Sequence, residues 1–160
     1  MKNAISTEIV TLRLPNALVE RIDKIILEEE TYSNRPDFII AAIRSYLNDS
    51  IFTYLVEREL DMGEPVVSRE RLEYDLEQRI ISITLHEEMY NEIEGKPVQI
   101  LLRIPIGIRK RWETIKKILP IKNFQDFIRF SIIPFISEDE QLNDQLKMMM
   151  EKHPRRSSLW

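Results

Sequence analysis

A short segment in which apolar and polar residues alternate occurs twice in this chain of 160 residues, and each copy is followed by two patterns of helical spacing. In residues 8–15 the alternation puts Val10, Leu12 and Leu14 on one face and ends at Pro15, which predicts a half-buried strand. A lone strand leaves its ladder groups unpaired, and a segment of about forty residues cannot bury its own apolar face. We therefore expect such a unit to pair its strand with that of another unit.

Two amphipathic helices follow the first strand. Asn34 precedes Arg35, Pro36 and Asp37, a pattern typical of an N-cap with proline and an acid in the first turn of the second helix. The apolar stripes are Leu18, Ile22, Ile25 and Ile26 in the first helix, and Phe38, Ile39, Ala42, Ile43, Tyr46 and Leu47 in the second. The first copy is thus predicted to be strand, helix, helix.

Residues 97–136 repeat this order. Asn123 is the expected cap of the last helix, which we expect Pro134 to interrupt. The apolar positions are Ile100, Leu102 and Ile104 in the strand, and Ile108, Trp112, Ile115 and Leu119 in the helix that follows it.

Identical residues link the two copies. With a shift of 90 positions, identities fall at Leu12, Arg13, Pro15, Arg21 and Ile25, and after a one-residue shortening of the loop also at Asn34, Asp37, Phe38, Ile39 and Ile43. These identities include polar as well as apolar positions, so we interpret the second copy as an internal repeat. The predicted fold is mainly α with short β-strands, as two β-α-α units joined by a helical segment.

The pattern divides the chain into four parts. They are a first unit (1–48), an acidic helical linker (49–96), a second unit (97–136) and a helical or disordered tail (137–160). The linker is predicted to form one helix through Phe52 and Leu60 that breaks at Gly63, and a second from near Ser68 to Ile93, closed by Gly95 and Pro97. Its role is either to space the two units or to bind a partner protein.

The total charge of −4 conceals a strong asymmetry along the chain. Residues 49–95 have four Lys/Arg against thirteen Asp/Glu, or −9, whereas residues 96–136 have nine against two, or +7. A basic segment of this kind is suited to phosphate, while the acidic segment would have to lie away from it.

Other classes of protein are disfavoured by missing residue types. The chain has no cysteine and only three glycines, and its histidines, His86 and His153, have no ligand spacing. We therefore expect no disulfide, no metal site, no cofactor and no enzymatic activity. No apolar run approaches the length of a membrane span and the first residues lack the apolar stretch of a signal peptide, so we expect a cytoplasmic protein.

Each unit has a strand ending in Leu-Arg-apolar-Pro, then a helix, a polar turn, and a capped helix that opens with Asp-Phe-Ile. This order resembles the ribbon-helix-helix regulators of the MetJ/Arc/CopG superfamily. The resemblance covers about half of the chain, once in each unit. Two units in one chain are also similar to the tandem regulators of archaeal filamentous viruses, which would work in the host cytoplasm. The resemblance implies sequence-specific binding of a double-stranded DNA operator and transcriptional regulation, with an antiparallel ribbon in the major groove.

The same resemblance implies which residues meet the DNA. The outward strand residues would contact bases, namely Ile9, Thr11, Arg13, Gln99, Leu101 and Arg103. The helix N-terminal turns at Asn34–Arg35 and Asn123–Phe124 would hold phosphates through backbone N–H groups, and Arg109, Lys110 and Arg111 would add charge. The residues alone also allow the arginines and the basic run to face solvent, and Ile9 and Leu101 to pack in a hydrophobic contact.

Two questions stay open at the level of sequence. The strands can pair within one chain, giving an asymmetric ribbon, or between chains, giving symmetric ribbons and self-association. The function can also be that of an antitoxin-like or oligomerising interaction module, whose acidic middle segment binds a partner protein.

Overall fold

The computed structural model describes residues 6–48, 69–117 and 119–152. Within them the fold is mainly helical, with two short antiparallel strands paired in one sheet. The elements in chain order are β1 (Thr7–Pro15), α1 (Asn16–Glu29), α2 (Arg35–Leu47), α3 (Arg69–Asn91), β2 (Pro97–Pro105), α4 (Ile106–Ile115) and α5 (Phe124–Lys152). The order strand, helix, helix therefore occurs at both β1 and β2, as the repeat predicts. No helix of the described part is long and apolar enough to cross a membrane.

β1 and β2 of the same chain form an antiparallel ribbon, and its register is symmetric about one residue pair. Thr7 lies opposite Pro105 at one end and Pro15 opposite Pro97 at the other, with Thr11 opposite Leu101 at the centre. Thr11 and Leu101 occupy the same position in the two copies, so a pseudo-twofold axis passes between them. Equivalent hydrogen bonds close both ends of the ribbon, from Ile106 N–H to the Ser6 carbonyl and from Asn16 N–H to the Lys96 carbonyl, each at 2.9 Å.

The alternation predicted for both strands is confirmed. Three inward residues of each strand are buried in one core, and the outward residues that alternate with them are exposed. The buried set is Val10, Leu12, Leu14, Ile100, Leu102 and Ile104. Burial of aliphatic side chains on a single face fixes the register, because a slip of either strand by one residue would turn its three buried side chains outward.

The same pseudo-twofold axis relates the two capped helices, which pack against each other beneath the ribbon. Phe38 of α2 contacts Phe135 of α5 with ring centroids 5.2 Å apart, and Tyr46 contacts Phe127 at 5.6 Å. Phe38 is equivalent to Phe127, and Tyr46 to Phe135, so these are two copies of one contact. Each unit thus buries its aromatic side chains against the other unit, and the two units share one hydrophobic core.

Both predicted N-caps are confirmed. The Asn34 side-chain oxygen accepts the N–H of Asp37 at 2.9 Å, and that of Asn123 accepts the N–H of Asp126 at 2.8 Å. The Asp37 carboxylate also accepts the N–H of Ser33 at 2.9 Å, which completes a reciprocal capping arrangement in the first unit.

The expectation that Pro134 interrupts the last helix is wrong, since α5 runs through it to Lys152 and crosses the predicted unit boundary after residue 136. Proline removes one helical hydrogen bond and costs about 3 kcal/mol in a helix interior. Ile132, Ile133 and Ile136 on both sides of it are buried, and this packing outweighs the local penalty. Leu119, expected in the stripe of α4, is buried but lies beyond the end of that helix at Ile115.

The second helix predicted in the acidic linker is confirmed as α3, which packs against α5 through contacts such as Tyr90 with Phe130, at 6.2 Å between ring centroids. The Tyr46 hydroxyl lies 3.1 Å from Nδ1 of His86. Gly95, between α3 and β2, has a φ of 135°, which residues with a side chain rarely adopt. A Cβ at this position would lie 3.0 Å from the backbone nitrogen of Asn16. The linker helix predicted through Phe52 and Leu60 lies outside the described residues.

Candidate nucleic-acid interface

The outer face of the ribbon brings together all six residues that the resemblance assigns to base contact. They form three cross-strand pairs: Ile9 with Arg103, Thr11 with Leu101, and Arg13 with Gln99. All six are exposed, including the apolar side chains of Ile9 at 57% and Leu101 at 52%. The face is therefore continuous, and among the described residues Ile9 and Leu101 are not buried in the hydrophobic packing that the sequence allowed for them.

The two arginines of this face lie at opposite ends of it and on opposite strands. Arg13 and Arg103 are each two residues from the central pair, in opposite directions, so about 13 Å of strand separates them along the ribbon. Neither side chain has a hydrogen-bond or ion-pair partner among the described residues, so both guanidinium groups are available to a ligand. The neighbours of the two differ, since Arg13 faces an amide and Arg103 faces an isoleucine.

The N-terminus of α2 presents backbone donors, but the charge of Arg35 is already used. Its guanidinium donates two hydrogen bonds to the Asp23 carboxylate, each at 2.8 Å. That hydrogen bonding lowers the pKa of Asp23 below its ordinary value. The first backbone N–H groups of a helix have no intrahelical partner, so at this position Arg35 can offer an anion its backbone N–H but not its ion-paired side chain.

The N-terminus of α5 is arranged in the same way, with an additional cation. The Phe124 side chain is only 3% exposed and belongs to the core, so this residue too can offer only its backbone N–H. Lys122, next to the cap Asn123, is exposed and has no partner among the described residues. Sequence reasoning missed Lys122, although its place next to a predicted cap was a usable signal.

The basic run of α4 is not a single charged face. Arg109 lies over the ring of Phe124, 4.7 Å from its centroid, and its guanidinium is 3.7 Å from the Glu8 carboxylate and 3.0 Å from that of Glu113. The pKa of Glu113 is lowered, first by a hydrogen bond from Lys116 and then by Arg109. Of the three residues, Lys110 alone is exposed without a partner among the described residues.

Arg111 joins the two units of the protein. Its guanidinium donates to the Leu47 carbonyl at 2.8 Å and to Oδ1 of Asn48 at 3.3 Å, both at the C-terminus of α2. A cation at this position satisfies a carbonyl without an intrahelical partner and opposes the negative end of the helix dipole. The guanidinium groups of Arg109 and Arg111 are therefore bound within the protein, unlike those of the two ribbon arginines.

Comparison of the chain with protein-family models, with curated protein sequences and with solved structures found no match. Among the described residues, no group of three or more acidic, histidine or cysteine side chains could hold a metal ion.

Proposed function

We propose that this protein binds double-stranded DNA sequence-specifically and regulates transcription as a tandem ribbon-helix-helix protein, with its ribbon in the major groove. The observation that carries the proposal is the register of β1 and β2. It places Arg13, Gln99, Thr11 and Arg103 on one exposed face, while three aliphatic residues of each strand are buried on the other. The proposal includes no catalytic step and no cofactor.

The chemistry of this face is suited to base edges. A two-stranded ribbon fits the major groove, where each base pair shows a distinct pattern of donors and acceptors. There an arginine can bond O6 and N7 of guanine, a glutamine can pair with adenine, a threonine can bond several bases, and isoleucine or leucine can contact a thymine methyl group. Exposed aliphatic side chains between arginines are unfavourable in water but are useful against thymine.

Phosphate contacts in the proposal come from both capped helices. The N–H groups at the starts of α2 and α5 are related by the pseudo-twofold axis of the ribbon, so they can hold the two DNA strands on either side of the groove. Lys122 and Lys110 add free charge in the second unit. Arg35, Arg109 and Arg111 contribute through backbone or fold rather than through free charge.

The test is selection of bound duplexes from a pool of random sequences, followed by a gel-shift titration of the selected duplex against a shuffled one. We expect a preferred sequence, with affinity that falls steeply as salt rises because phosphate contacts release counterions. Equal affinity for the selected and the shuffled duplex would show that the protein binds DNA through charge alone and without sequence specificity. Absence of binding at low salt would contradict the proposal altogether.

A further inference from the structure

α3 has two apolar faces, and only one of them packs against other described residues of the protein. Leu76, Ile83 and Tyr90 pack into the core. On the other side, Tyr74, Ile81, Leu85 and Met89 are 59%, 50%, 52% and 45% exposed. At 3.6 residues per turn these four positions lie within about 80° of one another around the helix, so they form a single stripe, here called the outer stripe.

The outer stripe is the main concentration of exposed apolar side chains in the described residues. Among the described residues, eight large apolar side chains are exposed. Four of them form the outer stripe, and two, Ile9 and Leu101, lie on the ribbon. The other two, Leu27 and Met148, belong to other helices. Scattered exposed apolar residues are ordinary, whereas a contiguous row on one helix marks an interaction surface.

The charges beside the outer stripe define the partner. Glu77, Glu88 and Glu92 are exposed and lie along it at helical spacing. Between residues 73 and 94 the sequence has seven acidic residues and a single arginine, Arg79, whose guanidinium is 5.9 Å from the ring centroid of Tyr46 on the packed side. Within residues 73–94 the apolar row is thus bordered by negative charge, with no Lys or Arg on its exposed side.

A second copy of α3 does not fit this surface. In a parallel pair each glutamate would face its own copy, and in an antiparallel pair the acidic C-terminal half would face another stretch with net negative charge. Like charges across a helix pair are destabilising, and a row of glutamates selects a cationic partner.

We propose that the outer stripe of α3 binds a basic amphipathic helix of another protein, whose apolar residues pack on Tyr74, Ile81, Leu85 and Met89 and whose lysines or arginines face Glu77, Glu88 and Glu92. The outer stripe extends over sixteen residues, from Tyr74 to Met89, or about 23 Å, so the matching helix has about four turns. This surface is separate from the ribbon, and the inference does not depend on DNA binding.

The test uses three synthetic peptides of about five helical turns. The first is an amphipathic Leu/Lys helix, the second has the same composition scrambled so that leucine lies all round, and the third is an amphipathic Leu/Glu helix. Fluorescence anisotropy with the full chain should show binding of the first peptide at least tenfold tighter than of the other two. Equal binding of the scrambled or the Leu/Glu peptide would overturn the proposal.

Variants of the chain then locate the binding. Ile81→Ser with Leu85→Ser should weaken binding of the Leu/Lys peptide at least tenfold, whereas the matched control Leu27→Ser should leave it unchanged. Glu88→Gln with Glu92→Gln should weaken binding and flatten its salt dependence, against Glu28→Gln with Glu30→Gln as control.

All four positions changed in the outer stripe and its border are exposed, and thermal unfolding of each variant checks that the fold is intact. Tyr74→Ser provides a second apolar variant at the other end of the outer stripe. Unchanged affinity in the outer-stripe variants would overturn the proposal. So would sedimentation showing a dimer of the wild type that Leu85→Ser dissociates, since a second copy would then occupy the outer stripe.

Discussion

Arginine side chains of the described residues differ in what surrounds them. Arg35, Arg109, Arg111 and Arg129 are bound to carboxylates or backbone carbonyls of neighbouring elements. Arg13 and Arg103 project from the ribbon without partners among the described residues. A guanidinium has five donors in a fixed fork, so one with no protein acceptor is ready to bind a planar acceptor pair such as the guanine edge.

The first prediction concerns these two ribbon arginines. Arg13→Ala or Arg103→Ala should each weaken binding of the selected duplex by roughly 1–3 kcal/mol, because one bidentate base contact is lost. The unfolding free energy should hardly change, since neither side chain is in the core. Gel-shift titration and thermal unfolding of the same preparations measure both quantities.

Arg44→Ala is the matched control for that prediction, because Arg44 is an exposed arginine near the C-terminus of α2, away from the helix N-termini assigned to phosphate. It should change affinity by much less than either ribbon variant. Specific binding that survives Arg13→Ala and Arg103→Ala together would show that the ribbon does not read the bases.

The second prediction separates neighbours on α4. Arg111→Met should lower the unfolding free energy by about 1–3 kcal/mol, because the carbonyl of Leu47 loses a charged hydrogen-bond donor. Lys110→Met should leave stability unchanged but reduce the dependence of DNA binding on salt, as loss of one phosphate contact would. If Arg111→Met is as stable as wild type, the cross-unit contact has no energetic importance.

At the scale of elements, the contact between α3 and α2 includes a titratable group, the imidazole of His86. Burial, and secondarily the positive charge of Arg79, lowers the pKa of His86 below 6.5. Burial also raises the pKa of Tyr46, which therefore stays neutral and shares a hydrogen bond with His86. The contact is thus built for a neutral imidazole.

The third prediction follows from the sign of that shift. As pH falls below 6.5, the unfolded chain takes up a proton at His86 before the folded protein does, so unfolding is favoured. The contribution of His86 to the unfolding free energy should be constant above pH 6.5. It should decrease as the pH falls from 6.5 to the lowered pKa of the folded protein. His86→Gln, which keeps a hydrogen-bonding side chain, should remove this part of the pH dependence in denaturant titrations. An identical pH profile for the variant would contradict the assignment.

Elements and faces were predictable here because period and capping act locally. The alternation in both strands, the caps Asn34 and Asn123 and the two core helices of each unit all follow from residues near in sequence. Two features could not be predicted from nearby residues: the continuation of α5 through Pro134 and the hydrogen bond from Arg111 to the C-terminus of α2. Both depend on contacts with an element that is distant in the sequence. A helical period tells which side of a helix is polar, but not which neighbour supplies an acceptor to it.

At the scale of the whole molecule, the pseudo-twofold axis makes one chain the equivalent of a dimer of the two units. The ribbon, the paired aromatic contacts and the reciprocal hydrogen bonds at the ribbon ends all relate one unit to the other. Covalent connection holds the two strands at a high effective concentration, which favours pairing within the chain.

The fourth prediction is that the free protein is a folded monomer of 19.1 kDa at low concentration. Sedimentation velocity should give a single species of that mass, and the midpoint of denaturant unfolding should not depend on protein concentration, because no subunit contact is broken. A midpoint that rises with concentration would indicate strands that pair between chains.

The last prediction concerns the symmetry of the DNA sequence that is bound. The two strands present different outward residues, Ile-Thr-Arg from β1 and Gln-Leu-Arg from β2, in a register that is itself symmetric. One chain should therefore select a site with unlike halves, each containing a guanine for its arginine but differing in the neighbouring bases. A palindrome selected by the wild type would show that two chains bind with like strands paired.

Exchange of the outward residues tests this directly, because the buried face is left untouched. Gln99→Ile with Leu101→Thr gives both strands the sequence Ile-Thr-Arg at the outward positions, and selection from random duplexes should then yield a palindrome built from one wild-type half-site. The reciprocal variant, Ile9→Gln with Thr11→Leu, should yield a palindrome of the other half-site. Both variants keep Arg13 and Arg103, so affinity for the selected palindrome should stay within about thirtyfold of the wild type, because two altered base contacts at about 1 kcal/mol each total about 2 kcal/mol. Variants that bind with the unchanged wild-type preference would mean that residues 9, 11, 99 and 101 do not contact bases, whatever the arginines do.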